Sequence, residues 1–177
     1  ETCLPKTGLA SDFWIPLKDI VQVEVSQEEL VLVAAKEYLN ESCFLDRGKK
    51  IINWKEAAKL PLITLKKGHA LRSSVDVLYA NAEVKPNIFF ESHSNMLSYR
   101  LAAQGLGVAI IPEITLELME GGMEADVYHL SVTPVQWPVM ALYREGCYIG
   151  EVEQALLDIA KETMQAHKKK LWASFAK

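Results

Sequence analysis

The sequence predicts an α/β protein, and three observations carry that prediction. Continuous apolar runs at residues 30–35, 62–65 and 108–111 are too apolar to face water on either side, as strands of a helix-covered sheet are. Between them lie segments whose apolar residues recur at helical spacing, such as Leu71, Val75 and Leu78. Glycine and proline punctuate the passages: in "SYRLAAQGLGVAIIPEITLEL" a helix stops at Gly105, a strand follows, and Pro112-Glu113 opens a second helix.

Residues 1–16 read as irregular, broken by Pro5, Gly8 and Pro16. An alternating strand at 20–25 and a buried one at 30–35 follow, and then a polar loop over 36–50. Asn53-Trp54-Lys55-Glu56 has the form of a capping box opening a short helix that Pro61 stops. The strand at 62–65 leads through Lys66-Lys67-Gly68-His69 into a helix reaching about Ala82. Lys85-Pro86 breaks that helix, 88–90 is a strand, and Ser92-His93-Ser94-Asn95 turns into the helix that Gly105 ends. Gly121-Gly122 is expected to end the helix after Pro112. Strands at 127–132 and 139–143 are separated by Pro134 and Pro138, and Glu151 opens a long helix with Val152, Leu156, Ile159 and Ala160 on one stripe.

With 177 residues the chain suits one domain or two small lobes with a real core. A formal charge of -4 argues against a dominant nucleic-acid surface, and Lys168-Lys169-Lys170 reads as cations complementing the end of a helix. Cys3, Cys43 and Cys147 form neither a disulfide framework nor a zinc pattern, so reduced thiols in a cytoplasmic protein are expected, Cys147 as a packed one. No apolar run is long enough for a membrane span, no signal segment opens the chain, and the sequon at Asn40 would matter only in a secretory pathway. Catalytic signatures are missing: no nucleophile elbow, no phosphate-cradling glycine loop and no paired zinc histidines on a helix. In "GLGVAIIP" the glycines precede the strand, the wrong order for a dinucleotide fingerprint, and Gly105, Gly107 and Pro112 read as architectural.

The ordered set "EELVLVAAKEY", "WKEAAKLPLITLKKGHALRSSVDVLY", "FFESHSNMLSYRLAAQGLGVAIIPE" and "VMALYREGCYIGEVEQALLDIAKE" resembles the effector-binding domain of LysR-type transcriptional regulators, from about Trp14 to about Met164. Residues 60–63, Arg72, 105–107 and Pro112 stand at the family's places in the right order. The resemblance implies a bilobal, periplasmic-binding-protein-like (type II) architecture with a small molecule in the interlobe cleft. On it, residues 1–30 are a remnant of the first lobe with the crossover strand. Residues 31–132 are the second lobe, and 133–177 return to the first. The family's winged helix-turn-helix and linker helix, and the βαβαβ segment opening its first lobe, have no counterpart here. DNA is accordingly expected as a partner only through that absent module. A homodimer or tetramer is implied, with Trp14, Ile15 and the C-terminal helix as the expected exposed apolar elements.

Ligands of open α/β sheets bind beyond the carboxyl ends of the strands, where helix N-termini present unpaired N–H groups. Two loops here qualify, 64–69 and 91–95, and the second suits a carboxylate or other anion. Members of the family commonly use residues of these two loops for the effector, so the resemblance implies Thr64, His69, His93, Ser94 and Asn95 as the effector residues, contacting a small polar or anionic metabolite. Bland roles stand beside these: Ser92 or Ser94 capping the helix, Thr64 as a satisfied structural hydroxyl. His69 and His93 meeting as metal ligands across the cleft lack a third ligand at fitting spacing, so no metal and no cofactor is expected. A binding domain is expected, not an enzyme. The alternatives are a solute-binding protein of the same architecture and an α/β enzyme with its catalytic residues in the missing lobe.

Overall fold

The computed structural model describes residues 18–119 and 124–175. They form two compact units, one of residues 29–135 and one of residues 18–28 with 136–175.

The first unit is built on a mixed sheet. Strand β1 (Ile20–Ala34) enters it at Glu29, and β2 (Phe44–Asp46), β3 (Ile51–Ile52), β4 (Pro61–Leu65), β5 (Asn87–Ser92), β6 (Val108–Pro112) and β7 (Asp126–His129) complete it. The order is β2-β3-β7-β1-β6-β4-β5. β4 runs parallel to β5 and β6, whereas β1 is antiparallel to both β6 and β7. The ends of β4, β5, β6 and β7 therefore reach the same edge of the sheet. Helices α1 (Trp54–Ala57), α2 (Ala70–Asn81), α3 (Asn95–Ala103) and α4 (Ile114–Glu117) connect the strands.

Burial follows the apolar runs. Every residue of β6 is buried, as is β1 from Glu28 to Ala34. Val31, Val33, Ile63, Ala109 and Ile111 pack with Tyr99 and Ala102 of α3 and with Met119. Leu30, Leu32, Leu62 and Ile110, which alternate with them, are also buried, so water reaches neither face. Leu71, Val75 and Leu78 are the buried stripe of α2. Gly105 follows α3 with φ +77°, a left-handed conformation that costs a glycine no Cβ contact.

Several local expectations change. The two strands expected over 20–35 are one continuous strand. The polar stretch between them is part of it, with Glu28 and Glu29 buried at 3% and 2% exposure and Glu29 partnered by His129. The expected loop 36–50 contains a 3-10 turn (Glu41–Cys43) and β2. Asn53 precedes α1 without a side-chain cap bond. Pro61 begins β4, and Pro112 ends β6 opposite Leu30. Proline offers no N–H there, and the Leu30 N–H donates to the Val135 carbonyl at 2.8 Å. Gly121, Gly122, Trp14 and Ile15 lie outside the described residues.

In the second unit β8 (Gln136–Arg144) pairs with β1, and α5 (Glu151–Phe175) follows. Pro138 was expected as a separator but sits inside β8; among the described residues this strand has β1 as its one partner, and an edge tolerates a missing donor. The apolar stripe of α5, a helix expected to be exposed, is open, with Val152 80%, Leu156 66% and Ile159 60% exposed. Cys147 is exposed, not packed, because the turn after Arg144 leaves its side chain in water; Cys43 is buried.

Trp54 locks α1 onto α2. Its Nε1–H donates to the Leu78 carbonyl at 3.1 Å, and its ring meets Tyr79 edge-on with centroids 5.0 Å apart. Trp54→Phe is expected to cost about 2 kcal/mol, from the lost hydrogen bond and the void beside it. Urea unfolding checks this: the midpoint should fall with an unchanged m-value, and an unaltered midpoint would show that the indole contributes nothing.

Candidate functional site

The sheet edge where β4 and β5 end receives the N-termini of α2 and α3, because parallel strands return through helices that restart at the opposite edge. Thr64 is the penultimate residue of β4, 4% exposed and paired in register with Glu91. His69 is the residue before α2; its carbonyl accepts from Ser73, but its side chain does not cap the helix. Ser94 does cap α3, its Oγ accepting from the Leu97 N–H at 3.3 Å. Ser92 takes the other role: its Oγ receives the Ser94 N–H at 3.1 Å, donates to the Ser94 carbonyl at 2.9 Å and lies 3.1 Å from Ser98 Oγ. The turn leading into α3 is thus held from both sides.

His69 and His93 meet within one unit. Both belong to the first unit, where Nε2 of His69 lies 3.1 Å from Nδ1 of His93, so one ring donates a hydrogen bond to the other. A backbone bond from the Lys66 N–H to the Ser92 carbonyl, at 2.8 Å, ties the same two loops. Asn95 opens α3, and its Oδ1 is buried without a hydrogen-bond partner. Thr64, His69, His93, Ser94 and Asn95 thus all stand on two adjoining loops. Among the described residues no group of three or more His, Cys, Asp or Glu side chains is arranged to hold a metal ion.

Two sets of contacts at this edge could not be read from the sequence. Arg72 is 4% exposed, and its guanidinium donates to Asp76 Oδ1 at 2.8 Å and to the Leu65 carbonyl at 2.9 Å, and meets Glu91 Oε1. Its i, i+4 spacing from Asp76 was visible in the chain; its partners on β4 and β5 were not. Further along the edge, Glu29 and Glu113 are each 2% exposed, and they are joined through their backbones. The Glu29 N–H donates to Glu113 Oε1 at 3.1 Å, and the Glu113 N–H donates to the Glu29 carbonyl at 2.8 Å. His129 Nδ1 lies 2.7 Å from Glu29 Oε1. That hydrogen bond raises the proton affinity of His129 above its ordinary value against the opposing effect of burial, with a further contribution from the charge of Glu113.

The sheet and loops are those of an α/β domain whose candidate site lies at the carboxyl ends of parallel strands. Residues 10–165 match the family profile of the LysR substrate binding domain, most of the chain, and the protein belongs to that family. An uncharacterized HTH-type transcriptional regulator of Bacillus subtilis (strain 168), YybE, is 39% identical over 67 residues, which are 38% of this chain and 23% of that protein. The chain thus spans about a quarter of the curated relative it matches. Among solved structures it resembles the effector binding domain of QuiR in complex with shikimate (TM-score 0.67, 19% identity, 87% of this chain and 70% of that one). It is likewise similar to the regulatory domain of CcmR from Synechocystis PCC6803 in complex with 2-PG (TM-score 0.68, 19% identity, 84% and 70%). The Corynebacterium glutamicum OxyR C206 mutant aligns with a TM-score of 0.74 at 15% identity, over 89% of this chain and 48% of that one. These structures share the fold. No helix among the described residues is long and apolar enough to cross a membrane.

Proposed function

We propose that the chain senses a small polar or anionic metabolite, bound beside the N-terminus of α3, and that this binding controls transcription through a DNA-binding module in the same regulator. The observation that carries the reading is the contact between His69 and His93. It brings the N-termini of two helices, with their positive ends and unpaired N–H groups, to one place at the sheet edge. The effector binding domain of QuiR is in complex with shikimate, a carboxylate that also carries hydroxyls, which supports the same ligand chemistry here. A carboxylate would accept from the first N–H groups of α3 and from Ser94 or Asn95, with Thr64 approaching from β4. An effector shifts such a regulator by its differential affinity for two arrangements. We further propose that the protein acts in the cytoplasm as a homodimer or tetramer, in keeping with the exposed Ile88, Phe89 and Phe90 of β5 and the open stripe of α5.

Charge-assisted hydrogen bonds contribute about 1.5–3 kcal/mol each. Ser94→Ala, Asn95→Ala and Thr64→Val are therefore each expected to weaken effector binding about tenfold or more. Ser94→Ala also removes a helix cap worth about 1 kcal/mol, so affinity is measured by calorimetry at temperatures where each variant is folded. If all three bind like the parent, the effector lies elsewhere and these loops are only structural.

A further inference from the structure

Arg72 is a buried cation at an edge where an anion would bind, yet its charge is already committed. The guanidinium faces two carboxylates, Asp76 on its own helix and Glu91 on β5, whose side chains are 44% and 39% exposed, and it also holds the Leu65 carbonyl at the end of β4. Glu91 stands one residue before Ser92 and two before His93. Left alone there, its carboxylate would oppose any anion approaching α3. A like charge about 6 Å away, at an effective dielectric of about 40 for a part-exposed group, between the protein-surface value of about 20 and that of water, weakens binding about tenfold.

We propose that Arg72 is a positioning residue for effector binding: it masks Glu91 and holds the ends of β4 and β5 so that His69 and His93 stay in contact, without itself touching the ligand. This rests on the reading that an anion binds between these two loops. The guanidinium suits the task because its fork donates in several directions at once, here to a helix and two strands, where a lysine ammonium is a single point charge on a flexible stem.

The experiment uses the whole chain with Arg72→Gln, Arg72→Lys, Glu91→Gln and the Arg72→Gln/Glu91→Gln pair, and two readouts. The first is calorimetric affinity for shikimate, inorganic phosphate and the neutral methyl ester of shikimate. Arg72→Gln is expected to weaken shikimate and phosphate about tenfold and the ester less than twofold, and the double variant to recover to within about threefold of the parent. A general loss of packing would weaken all three probes and would not be rescued by Glu91→Gln. The second readout is the nitrogen-correlated NMR signal of the proton shared by His69 and His93, which should vanish in Arg72→Gln and persist in Arg72→Lys. Unchanged shikimate and phosphate affinity in Arg72→Gln, a double variant as weak as the single one, or a shared proton that survives in a folded Arg72→Gln would each overturn the proposal. If the parent binds neither anion, the anion reading of the site fails, and the NMR signal alone decides whether Arg72 positions the loops. If Arg72→Gln does not fold, Glu91→Gln carries the masking test: shikimate affinity should rise about threefold, and a fall would overturn it.

Discussion

Replacing Gly107 with alanine is expected to lower the melting temperature by about 6–12 °C, the largest effect expected of a methyl group added at a described glycine. A Cβ at this position would lie 2.4 Å from the Pro61 carbonyl oxygen and 3.2 Å from its carbon. Both atoms belong to the backbone that opens β4, next to the parallel pair Leu62 and Val108, so no side chain can swing away to make room. Either β4 moves off β6 or the ladder between them breaks. Overpacking of this kind costs about 3 kcal/mol, and in a chain of this length each kcal/mol corresponds to about 2–4 °C. Gly68→Ala is the control: nothing stands within 4 Å of its Cβ, and its cost comes only from φ +95°, about 1 kcal/mol. Differential scanning calorimetry of both variants separates the two effects. A Gly107→Ala protein melting within 2 °C of the parent would mean that β4 and β6 tolerate a wider separation.

The second large effect is expected at His129. Removing the imidazole leaves the Glu29 carboxylate, 2% exposed and beside Glu113, without the cation it contacts. Breaking a buried pair by deleting one partner costs about 3–5 kcal/mol; the His129 side chain is 29% exposed, so the low end applies. The effect has a pH signature. His129 binds its proton more tightly folded than unfolded, chiefly through the hydrogen bond to Glu29. The stabilisation is then fully present below the unfolded value of about 6.5 and is lost as pH rises through the higher, folded value. Denaturant unfolding of the parent should therefore show stability falling from pH 6 towards pH 8.5. His129→Ala should be less stable at pH 6 and lack this decline. A Glu29→Gln/His129→Ala protein should recover part of the loss, since the uncompensated charge is gone. Parallel pH profiles for the parent and His129→Ala would exclude the ion pair as their cause.

What the chain disclosed and what it hid divide along the range of the interactions. The runs Leu62–Leu65 and Val108–Ile111 and the stripe Leu71, Val75 and Leu78 were legible because burial on both faces, or along one stripe, writes itself into local composition. Gly105 was legible because its conformation is a local demand. The fusion of two expected strands into β1 was not. Glu28 and Glu29 look like a polar break, and a partner such as His129, 100 residues from Glu29, is what makes a buried carboxylate acceptable there. At the candidate site, the two loops could be located from the order of strands and helices, and the five residues proposed on them came from the family resemblance. The division of labour between Ser92 and Ser94 could not, since both serines satisfy the same capping preference. Arg72 was readable as a landmark in the sequence, but its bonds to Leu65 and Glu91 depend on the parallel pairing of β4 with β5.

The long first strand also governs how this protein is born. Val31, Leu32 and Val33 pair on one side with Ala109, Ile110 and Ile111 and on the other with Val127, Tyr128 and His129. A ribosome adding about 5–20 residues per second delivers the second set about 5–20 s after the first segment has been made. Until Ala109 to Ile111 is made, about 4–16 s after it, the apolar, charge-free stretch from Leu30 to Ala34 has neither of its native neighbours, and until Val127 to His129 follows it has only one. Such a segment is a template for pairing with other nascent chains, and non-local pairings of this length are slow to close. Yield in a heterologous host should therefore be limited at synthesis more than by the stability of the finished fold, and slower translation downstream of Ala34 should lower it while extra holding chaperone raises it.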